Sequence, residues 1–454
     1  MVMEAALQNL EAWCQAERAR LRRYAPVSTF GRISGVSGIL LESRLPRAKI
    51  GDLCRIQRDD GEMVLAEIVG FNQEITLLSA LGALDGIAIG ARVIPLFRPH
   101  SIVVSDDLLG SVLDGFGRAI DSESRSAFAN PEDSEHALPV ISDAPAPTDR
   151  PRIDTHLPTG MRAIDGLLTI GEGQRVGLFA GAGCGKTTLL AELARNTPCD
   201  AIVFGLIGER GRELREFLDH ELDDELRRRT VLVCSTSDRS SMERARAAFT
   251  ATAIAEGYRR KGCKVLLVID SLTRFARAQR EIGLASGEPP GRGGLPPSVY
   301  TLLPRLVERA GKTNDGAITA LYSVLIEQDS MNDPVADEVR SLLDGHIVLA
   351  RRLAEKGHYP AIDVLASLSR TMSNVVERDH IRQATTLRRL MAAYQQVEML
   401  IKLGEYQQGH DPLTDYAVEA QDAINAFLRQ EMRAPTDLIE TLEQLTGVTA
   451  HAPR

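Results

Sequence analysis

The chain has 454 residues, and its hydrophobic content of 44% excludes a wholly disordered protein. Asp and Glu (62) outnumber Lys and Arg (53), and the net charge of −9 argues against a general nucleic-acid-binding protein. No apolar run reaches the roughly 18 residues of a transmembrane helix, and acidic residues interrupt the start of the chain where a secretory signal would be apolar. A soluble, cytoplasmic protein of about three domains, at ~150 residues each, is therefore predicted.

Residues 1–25 are predicted to form an amphipathic helix. Apolar residues recur at helical spacing from Met3 to Leu21, Trp13 lies beside them, and Pro26 ends the pattern. Because the segment precedes any globular pattern, its apolar stripe has two explanations of equal weight. It either packs on its own domain or frays in solvent, or it docks on a partner protein or a membrane surface.

Residues 26–97 carry short alternating apolar runs separated by Gly and Asp-Asp-Gly turns, which predict a small β-barrel domain. Residues 98–158 are predicted to be a connector. Its second half, from residue 122, holds six prolines and little periodicity, as expected of an extended segment.

Residues 159–376 alternate apolar strands with helical stretches, and this βαβ rhythm predicts an α/β domain with a parallel sheet. The candidate strands are Arg175–Ala180, Ala201–Ile207, Thr230–Cys234, Lys264–Asp270, Ala317–Val324 and His346–Leu349. The pattern of residues 377–454 is helical, so a C-terminal helical domain is predicted.

A phosphate-binding loop follows the first of these strands. Its sequence fits the pattern GxxxxGK[ST], except that Ala180 replaces the first Gly. The predicted nucleotide-binding residues are Gly181, Ala182, Gly183, Cys184, Gly185, Lys186, Thr187 and Thr188. The glycines let backbone N–H groups face phosphate oxygens, Lys186 would reach the β- and γ-phosphates, and the Thr187 hydroxyl would bind Mg²⁺. ATP and Mg²⁺ are therefore predicted, and Cys184 is expected only to fill its position.

Two acidic residues lie at the ends of candidate strands. Asp270 ends Lys264–Asp270, and it is predicted to hold Mg²⁺ through water, since ligands of such sheets bind at the carboxyl edge. Glu209 follows Ala201–Ile207. Spacing alone explains Glu209 equally well as the group that polarises the attacking water or as a charged helix cap.

Longer motifs carry a family resemblance. Gly-Glu-Arg-Gly-Arg-Glu at 208–213, after an AGxGxGKT loop, resembles the rotary ATPase superfamily that includes the F1 β subunit. Residues 270–281, 283–299 and 332–347 resemble the type III secretion ATPases, a family that covers the virulence injectisome and its flagellar export sibling. The similarity runs from about residue 30 to the C-terminus. At 326–329 the chain reads Ile-Glu-Gln-Asp where the family often has Val-Glu-Gly-Asp, so no site is assigned there.

The resemblance implies an ATP hydrolase that energises type III protein secretion by releasing chaperone–cargo complexes and assisting unfolding at the export gate. It implies that Glu209 activates water, that Arg210 lies near the γ-phosphate, that Tyr359 packs on adenine, and that Arg370 is an arginine finger. Considered alone, Tyr359 could be an ordinary half-buried aromatic, and Arg370 could form a weak surface ion pair.

A ring is predicted from the presence of both halves of an active site in one sequence. An arginine finger acts on the nucleotide of a neighbouring subunit, and identical subunits joined head to tail close into rings. The number six, and thus a homohexamer, comes from the resemblance. So do a central stalk protein, a stator-like regulator on the N-terminal helix, secretion chaperones and cargo, and export-gate membrane proteins. The resemblance places the enzyme at the cytoplasmic face of the inner membrane. No nucleic-acid partner is predicted, because acidic residues outnumber basic ones and aromatic residues are few.

Four alternatives remain at this stage. A flagellar export ATPase differs little in its motifs, although residues 45–52 and 358–360 favour the injectisome type. A non-catalytic nucleotide-binding subunit would usually lack the acid at Glu209. An F- or V-type rotary subunit is disfavoured by Arg370 and the loop 283–299. A Rho-like nucleic-acid translocase is disfavoured because only 4% of residues are aromatic, which leaves few stacking platforms.

Overall fold

The computed structural model describes residues 29–121, 124–129, 136–326, 333–409 and 411–453, together with Leu10, Trp13, Cys14, Glu17, Arg18 and Arg20. These six early residues are helical, and Leu10 and Trp13 are more than half exposed. The rest of the predicted N-terminal helix lies outside the described residues, as do residues 327–329 of the divergent stretch. The chain separates into two compact units, Met1–Pro99 and His100–Arg454.

In the described part of the first unit, six strands form a closed barrel in which all neighbours are antiparallel. The strands are β1 Gly31–Ser37, β2 Leu40–Ser43, β3 Asp52–Gln57, β4 Met63–Asn72, β5 Ile75–Ala80 and β6 Arg92–Pro99. Their order around the barrel is β1-β2-β5-β4-β3-β6. Alternate residues point inward, as for Cys54 and Ile56 on β3 and Ala66 and Ile68 on β4, all fully buried. The barrel confirms the fold predicted for this region.

The second unit is built on a largely parallel sheet. Its strands are β7 Ser101–Ile102, β8 Val112–Leu113, β9 Leu138–Pro139, β10 Arg175–Ala180, β11 Ala201–Glu209, β12 Thr230–Thr236, β13 Lys264–Asp270, β14 Gly311–Lys312, β15 Ala317–Leu325, β16 Gly345–Leu349 and β17 Leu368–Ser369. Among the described residues, nine of these form one sheet in the order β17-β16-β10-β15-β13-β11-β12-β8, with β14 paired to β15. Only β14 and β17 run antiparallel to their neighbours in it, and β7 and β9 form a separate pair.

Helices connect and cover these strands. They are α1 Arg162–Leu167, α2 Lys186–Asn196, α3 Gly211–Glu216, α4 Asp224–Arg228, α5 Ser241–Arg260, α6 Leu272–Ala285, α7 Pro297–Val307, α8 Pro334–Leu342, α9 Arg351–Ala354, α10 Met372–Val375, α11 Arg378–Leu403, α12 Pro412–Glu419, α13 Gln421–Leu428 and α14 Leu438–Thr449. The C-terminal helices share the core of the sheet, because Leu387, Ile424 and Leu445 belong to one buried cluster with Leu178 and Leu190. Within the described ranges, no helix has both the length and the apolar character needed to span a membrane.

The six strands predicted from apolar runs are all present, with ends that differ by at most two residues. Such runs are easily recognised because the central strands are buried on both faces, as Val265 to Ile269 are. The sequence did not predict β8, a two-residue strand from the first half of the predicted connector that joins the sheet beside β12. So short a strand has no periodicity to detect.

Candidate active site

The phosphate-binding loop occupies the expected turn between a strand and a helix. Strand β10 ends at the fully buried Ala180, and α2 begins at Lys186. Gly183 and Gly185 have φ values of 80° and 79°, a conformation that glycine adopts at little cost. The first N–H groups of α2 have no partners within the helix and carry partial positive charge. This loop can therefore hold a phosphate group by backbone donors.

Three charged side chains meet at the carboxyl edge of the sheet. The Lys186 Nζ atom binds Asp270 Oδ1 and lies 4.0 Å from Glu209 Oε1. All three are mostly buried, with side-chain exposures of 11%, 4% and 15% for Lys186, Asp270 and Glu209. Ser323, fully buried on β15 between β10 and β13, donates a 2.5 Å hydrogen bond to the same Asp270 oxygen. Sequence reasoning missed Ser323, because one serine in an apolar strand carries no recognisable signal.

The side chain of Glu209 is directed by an irregularity in its strand. Register between β11 and β12 shifts at Gly208, whose φ of 65° is costly for other residues. Arg274, at the start of α6, donates to the Gly208 carbonyl and pairs with Glu209 Oε2 at 2.9 Å. The bulge and the Arg274 guanidinium together fix the Glu209 carboxylate. Arg274 was also missed, although it lies within the motif that follows Asp270.

The environment of Glu209 brings its pKa close to neutral pH. Burial and the neighbouring Asp270 charge raise the pKa of Glu209 to about 7, while Arg274 and Lys186 oppose that rise. A hydrogen bond with Glu213 adds to the increase, and the same bond lowers the pKa of Glu213. A carboxylate with a pKa near the working pH is well suited to act as a general base.

The oxygen donors at this edge fit a magnesium ion bound together with nucleotide. A cavity of about 480 Å³ is lined by Thr187, Glu209 and Asp270, among others. Hydroxyl and carboxylate oxygens are the donors that Mg²⁺ prefers, and it usually takes one or two protein ligands plus substrate phosphates and water. In the described part of the chain, no cluster of three or more His, Cys, Asp or Glu residues able to hold a metal occurs.

Another cavity, of about 330 Å³, borders the opposite part of the loop. It is lined by Gly183, Gly185, Thr188, Tyr359 and Met432, among others. Tyr359 is 47% exposed, and its ring lies 3.7 Å from the position a Cβ would take at Gly185. These surfaces can sandwich a planar base. The sequence predicted Tyr359 here but not Met432, because the C-terminal segment that brings it is distant in the chain.

The C-terminal segment is tied to the Tyr359 turn by backbone and side-chain bonds. The Gln430 N–H donates to the Tyr359 carbonyl at 3.0 Å. The Gln430 side-chain amide also binds the Gly160 carbonyl at 2.6 Å and accepts from the Arg162 N–H at 2.9 Å. Gln430 therefore holds one wall of this cavity in place.

Among the described residues, neither candidate arginine is paired with Lys186, Asp270 or Glu209. Arg210 pairs with Glu213 at 3.2 Å and its side chain is 79% exposed. Arg370 follows β17, whose Ser369 pairs with Gly345 at the amino end of β16, whereas Ala180 of β10 pairs with Leu349 at the carboxyl end. Four residues of strand, about 13 Å, thus separate Arg370 from the edge that carries the loop. Arg370 cannot reach the phosphate site of its own chain.

Family models cover most of the chain. The nucleotide-binding domain of the ATP synthase alpha/beta family matches residues 160–369, and the beta-barrel domain of that family matches residues 33–96. The T3SS EscN ATPase C-terminal domain matches residues 376–447. The chain is also 69% identical to a "Type 3 secretion system ATPase" from Pseudomonas syringae pv. tomato, over 99% of this chain and 100% of that protein.

The chain belongs to the type III secretion ATPases. It is an ATP hydrolase that energises type III protein secretion, as its motifs predicted. Flagellar relatives are more distant, for example a "Flagellum-specific ATP synthase" from Treponema pallidum that is 44% identical over 97% of this chain and 98% of its own length. The secretion ATPase assignment is therefore favoured over the flagellar alternative.

Solved structures agree with this family and with the fold. The assembled ATPase EscN of enteropathogenic E. coli is 45% identical, with a TM-score of 0.86 over 92% of this chain and 100% of that one. EscN in complex with its central stalk EscO is 43% identical, with a TM-score of 0.84 and the same coverage. The predicted architecture, a P-loop α/β core with an N-terminal barrel and C-terminal helices, is confirmed.

Proposed function

We propose that each chain contributes two separate half-sites to a homohexameric ring. One half-site holds the nucleotide: residues 181–188 bind the triphosphate and Tyr359 packs on adenine. The other is Arg370, which serves the nucleotide of the adjacent chain. The observation that carries the proposal is the placement of Arg370 at the opposite end of the sheet from Lys186. An arginine there can act only between chains.

In the first half-site, Glu209 is the general base. It accepts a proton from the attacking water while that water forms a bond to the γ-phosphorus and the bond to the ADP oxygen breaks, giving ADP and phosphate. The Lys186 ammonium neutralises charge on the phosphate oxygens. Arg210 follows Glu209 in the chain and pairs with Glu213, which lines the same cavity, and we assign it to the γ-phosphate.

Thr187 and Asp270 would hold Mg²⁺, which supplies charge neutralisation on the phosphate oxygens. Ser323 keeps the Asp270 carboxylate in one orientation by its short hydrogen bond. From the Lys186–Asp270 ion pair we expect that the lysine turns from Asp270 toward phosphate when nucleotide binds. Such an exchange of partners keeps the ammonium paired in both situations.

The assembled EscN and its complex with the stalk protein EscO support a ring that surrounds a central stalk. We extend this to a stator-like regulator on the N-terminal helix, to chaperones and cargo at the C-terminal face, and to export-gate proteins. The enzyme would then work peripherally, at the cytoplasmic face of the inner membrane. These partners come from the family resemblance.

Mixed assembly tests the split active site. Glu209→Gln and Arg370→Ala should each lose about 10³–10⁵-fold in kcat, and wild-type ATPase rate should rise more than linearly with protein concentration. When the two variants are assembled together, about a quarter of the interfaces combine an intact Glu209 with an intact Arg370. Activity should then reappear. An inactive mixture of two variants that both bind nucleotide, or a fully active Arg370→Ala, would contradict the proposal.

A further inference from the structure

The surroundings of Arg370 combine a free side chain with a tightly held backbone. Arg370 is exposed, and within the described residues its guanidinium has no hydrogen bond or ion pair. Its backbone N–H donates to the Asp344 carbonyl at 2.9 Å. The flanking Ser369 and Thr371 are half-buried and buried. An arginine that must meet a second chain at a fixed distance needs this kind of support.

Gln174 supplies most of that support. Its side chain is fully buried, and its Oε1 accepts a 2.6 Å hydrogen bond from the Thr371 hydroxyl. Its Nε2 donates to the Asp344 carbonyl at 3.1 Å and to the Ser369 hydroxyl at 3.3 Å. A single amide thus binds both residues that flank Arg370 and the carbonyl that receives the Arg370 N–H.

Gln174 lies at the start of the strand that also carries the nucleotide site. Gln174 immediately precedes β10, the strand that leads into the phosphate-binding loop. Arg175, the next residue, clamps the Asp344 carboxylate through its Nε at 3.0 Å and its Nη2 at 3.2 Å. The same strand therefore carries the nucleotide loop at one end and anchors the Arg370 segment at the other.

Close packing at Gly345 shows how little freedom the segment has. A Cβ at Gly345 would lie 2.7 Å from the Leu368 carbonyl and 3.1 Å from Gln174 Nε2. The absence of a side chain lets β17 and the Gln174 amide approach β16 together. Replacing Gln174 removes four hydrogen bonds, those with Thr371, Asp344 and Ser369 and one that its Oε1 accepts from the Gly171 N–H at 2.9 Å. Losing these bonds at a buried amide is costly.

We propose that Gln174 is a positioning residue for Arg370: it holds the finger at the geometry required by the adjacent chain's nucleotide, and it takes no part in the nucleotide site of its own chain. The inference rests on the proposed intersubunit role of Arg370. Gln174 thus belongs to the half-site that acts on the neighbouring chain's nucleotide. It nevertheless adjoins β10, the strand that leads into its own chain's nucleotide site.

The first test separates kcat from KM. Gln174→Met keeps the volume but removes the amide, and we expect kcat to fall about 10²-fold, as for a finger displaced by about 1 Å. KM for ATP should stay within about twofold, since the phosphate-binding edge is unchanged. Thr371→Val should lower kcat by about tenfold, whereas Thr371→Ser, which keeps the hydroxyl, should restore it. Gln383→Met breaks an exposed 2.8 Å Gln–Thr bond elsewhere, to Thr446, and serves as a control for the substitution itself.

The decisive test is mixed assembly with two inactive partners. Glu209→Gln chains offer an intact Arg370, so their mixture with Gln174→Met chains should regain activity. Arg370→Ala chains offer an intact Glu209 but need a finger, and Gln174→Met chains cannot supply one in position. That second mixture should therefore not exceed the rate of Gln174→Met alone. Should Gln174→Met fail to fold, Thr371→Val takes its place in both mixtures.

Three results would overturn the assignment. One is rescue of Gln174→Met by Arg370→Ala chains, and another is rescue by neither partner while the folded control pair, Glu209→Gln with Arg370→Ala, does recover. The third is a rise in KM with kcat unchanged, which would place Gln174 in nucleotide binding. If the control pair itself fails, the proposed intersubunit finger is wrong, and this inference is overturned together with it.

Discussion

The two ends of the central sheet use charge in opposite ways. At the carboxyl end, Lys186, Asp270, Glu209 and Arg274 pair with one another and are largely buried. At the amino end, the exposed Arg370 guanidinium has no partner among the described residues, while its backbone is held by buried groups. Buried charges must be compensated within the chain, whereas an exposed, solvated cation is available to bind a group on another molecule.

The carboxyl end lacks the cations that a bound triphosphate requires. Its larger cavity is lined by five carboxylates, those of Glu209, Glu213, Glu216, Glu221 and Asp270. A triphosphate brings further negative charge, so Lys186 and the loop N–H groups need additional cations. Mg²⁺ and the neighbouring chain's Arg370 are the two that we propose. The exposed arginine at the amino end of one chain could therefore supply a cation that the carboxyl end of the next chain lacks.

Loss of Lys186 should impair both nucleotide binding and turnover, whereas loss of Arg370 should impair turnover alone. Lys186→Ala should weaken nucleotide binding about 10- to 100-fold, because a charge-assisted hydrogen bond is worth about 1.5–3 kcal/mol, and should abolish turnover. Arg370→Ala should abolish turnover, by about 10³–10⁵-fold, yet bind nucleotide within about twofold of wild type. Equilibrium binding of a fluorescent ATP analogue, beside steady-state rates, measures both. Equal losses of binding in the two variants would remove the distinction.

A smaller effect concerns the pH dependence of the carboxyl end alone. Catalysis needs Glu209 ionised, and its pKa is raised to about 7. The value of kcat/KM should therefore fall about tenfold per pH unit below pH 7 and level off above it. Because the Arg274 cation lowers this pKa, Arg274→Gln should move the acid limb to higher pH. Glu213→Ala should move it to lower pH, because the Glu213 hydrogen bond raises the pKa.

The pH profile of Arg370→Ala provides the control for that experiment. Arg370 lies at the far end of the sheet, so its loss should lower the rate at every pH without moving the midpoint. A shift caused by Arg370→Ala, or shifts of Arg274→Gln and Glu213→Ala in the same direction, would show that another group controls the acid limb.

The carboxyl end could be predicted from sequence far better than its supports. Strand β13 and its terminal Asp270, and the loop before Lys186, are local patterns: an apolar run and a glycine-rich turn followed by Lys-Thr. The bulge at Gly208 and the hydrogen bond from Ser323 are not local. Both depend on which strands become neighbours, and a lone serine in an apolar strand looks the same whether or not it meets a carboxylate.

The supporting residues at the amino end could be predicted from the sequence even less well. The family resemblance selects Arg370, but Gln174 and Thr371 belong to segments that meet only when β17 pairs with β16 beside β10. In the sequence, a glutamine just before a strand cannot be distinguished from an ordinary turn residue. Likewise Met432 reaches the base cavity from the C-terminal segment. Contacts between distant segments carry no periodicity, so sequence spacing could not predict them.

Substitutions in the base cavity alter the carboxyl end without changing its charges, and their effects on turnover should be small. Tyr359→Ala should raise KM for ATP about tenfold, since stacking of a base on an aromatic ring contributes about 1–3 kcal/mol, and kcat should change less than about threefold. Tyr359→Phe keeps the ring and should match wild type, and Met432→Ala should raise KM less than Tyr359→Ala does, because Met432 is 62% exposed.

In mixtures with Arg370→Ala chains, Tyr359→Ala should still supply a working finger. A loss of that rescue would mean that the base cavity and the Arg370 segment are coupled through β10, and that the two ends are less independent than their geometry indicates.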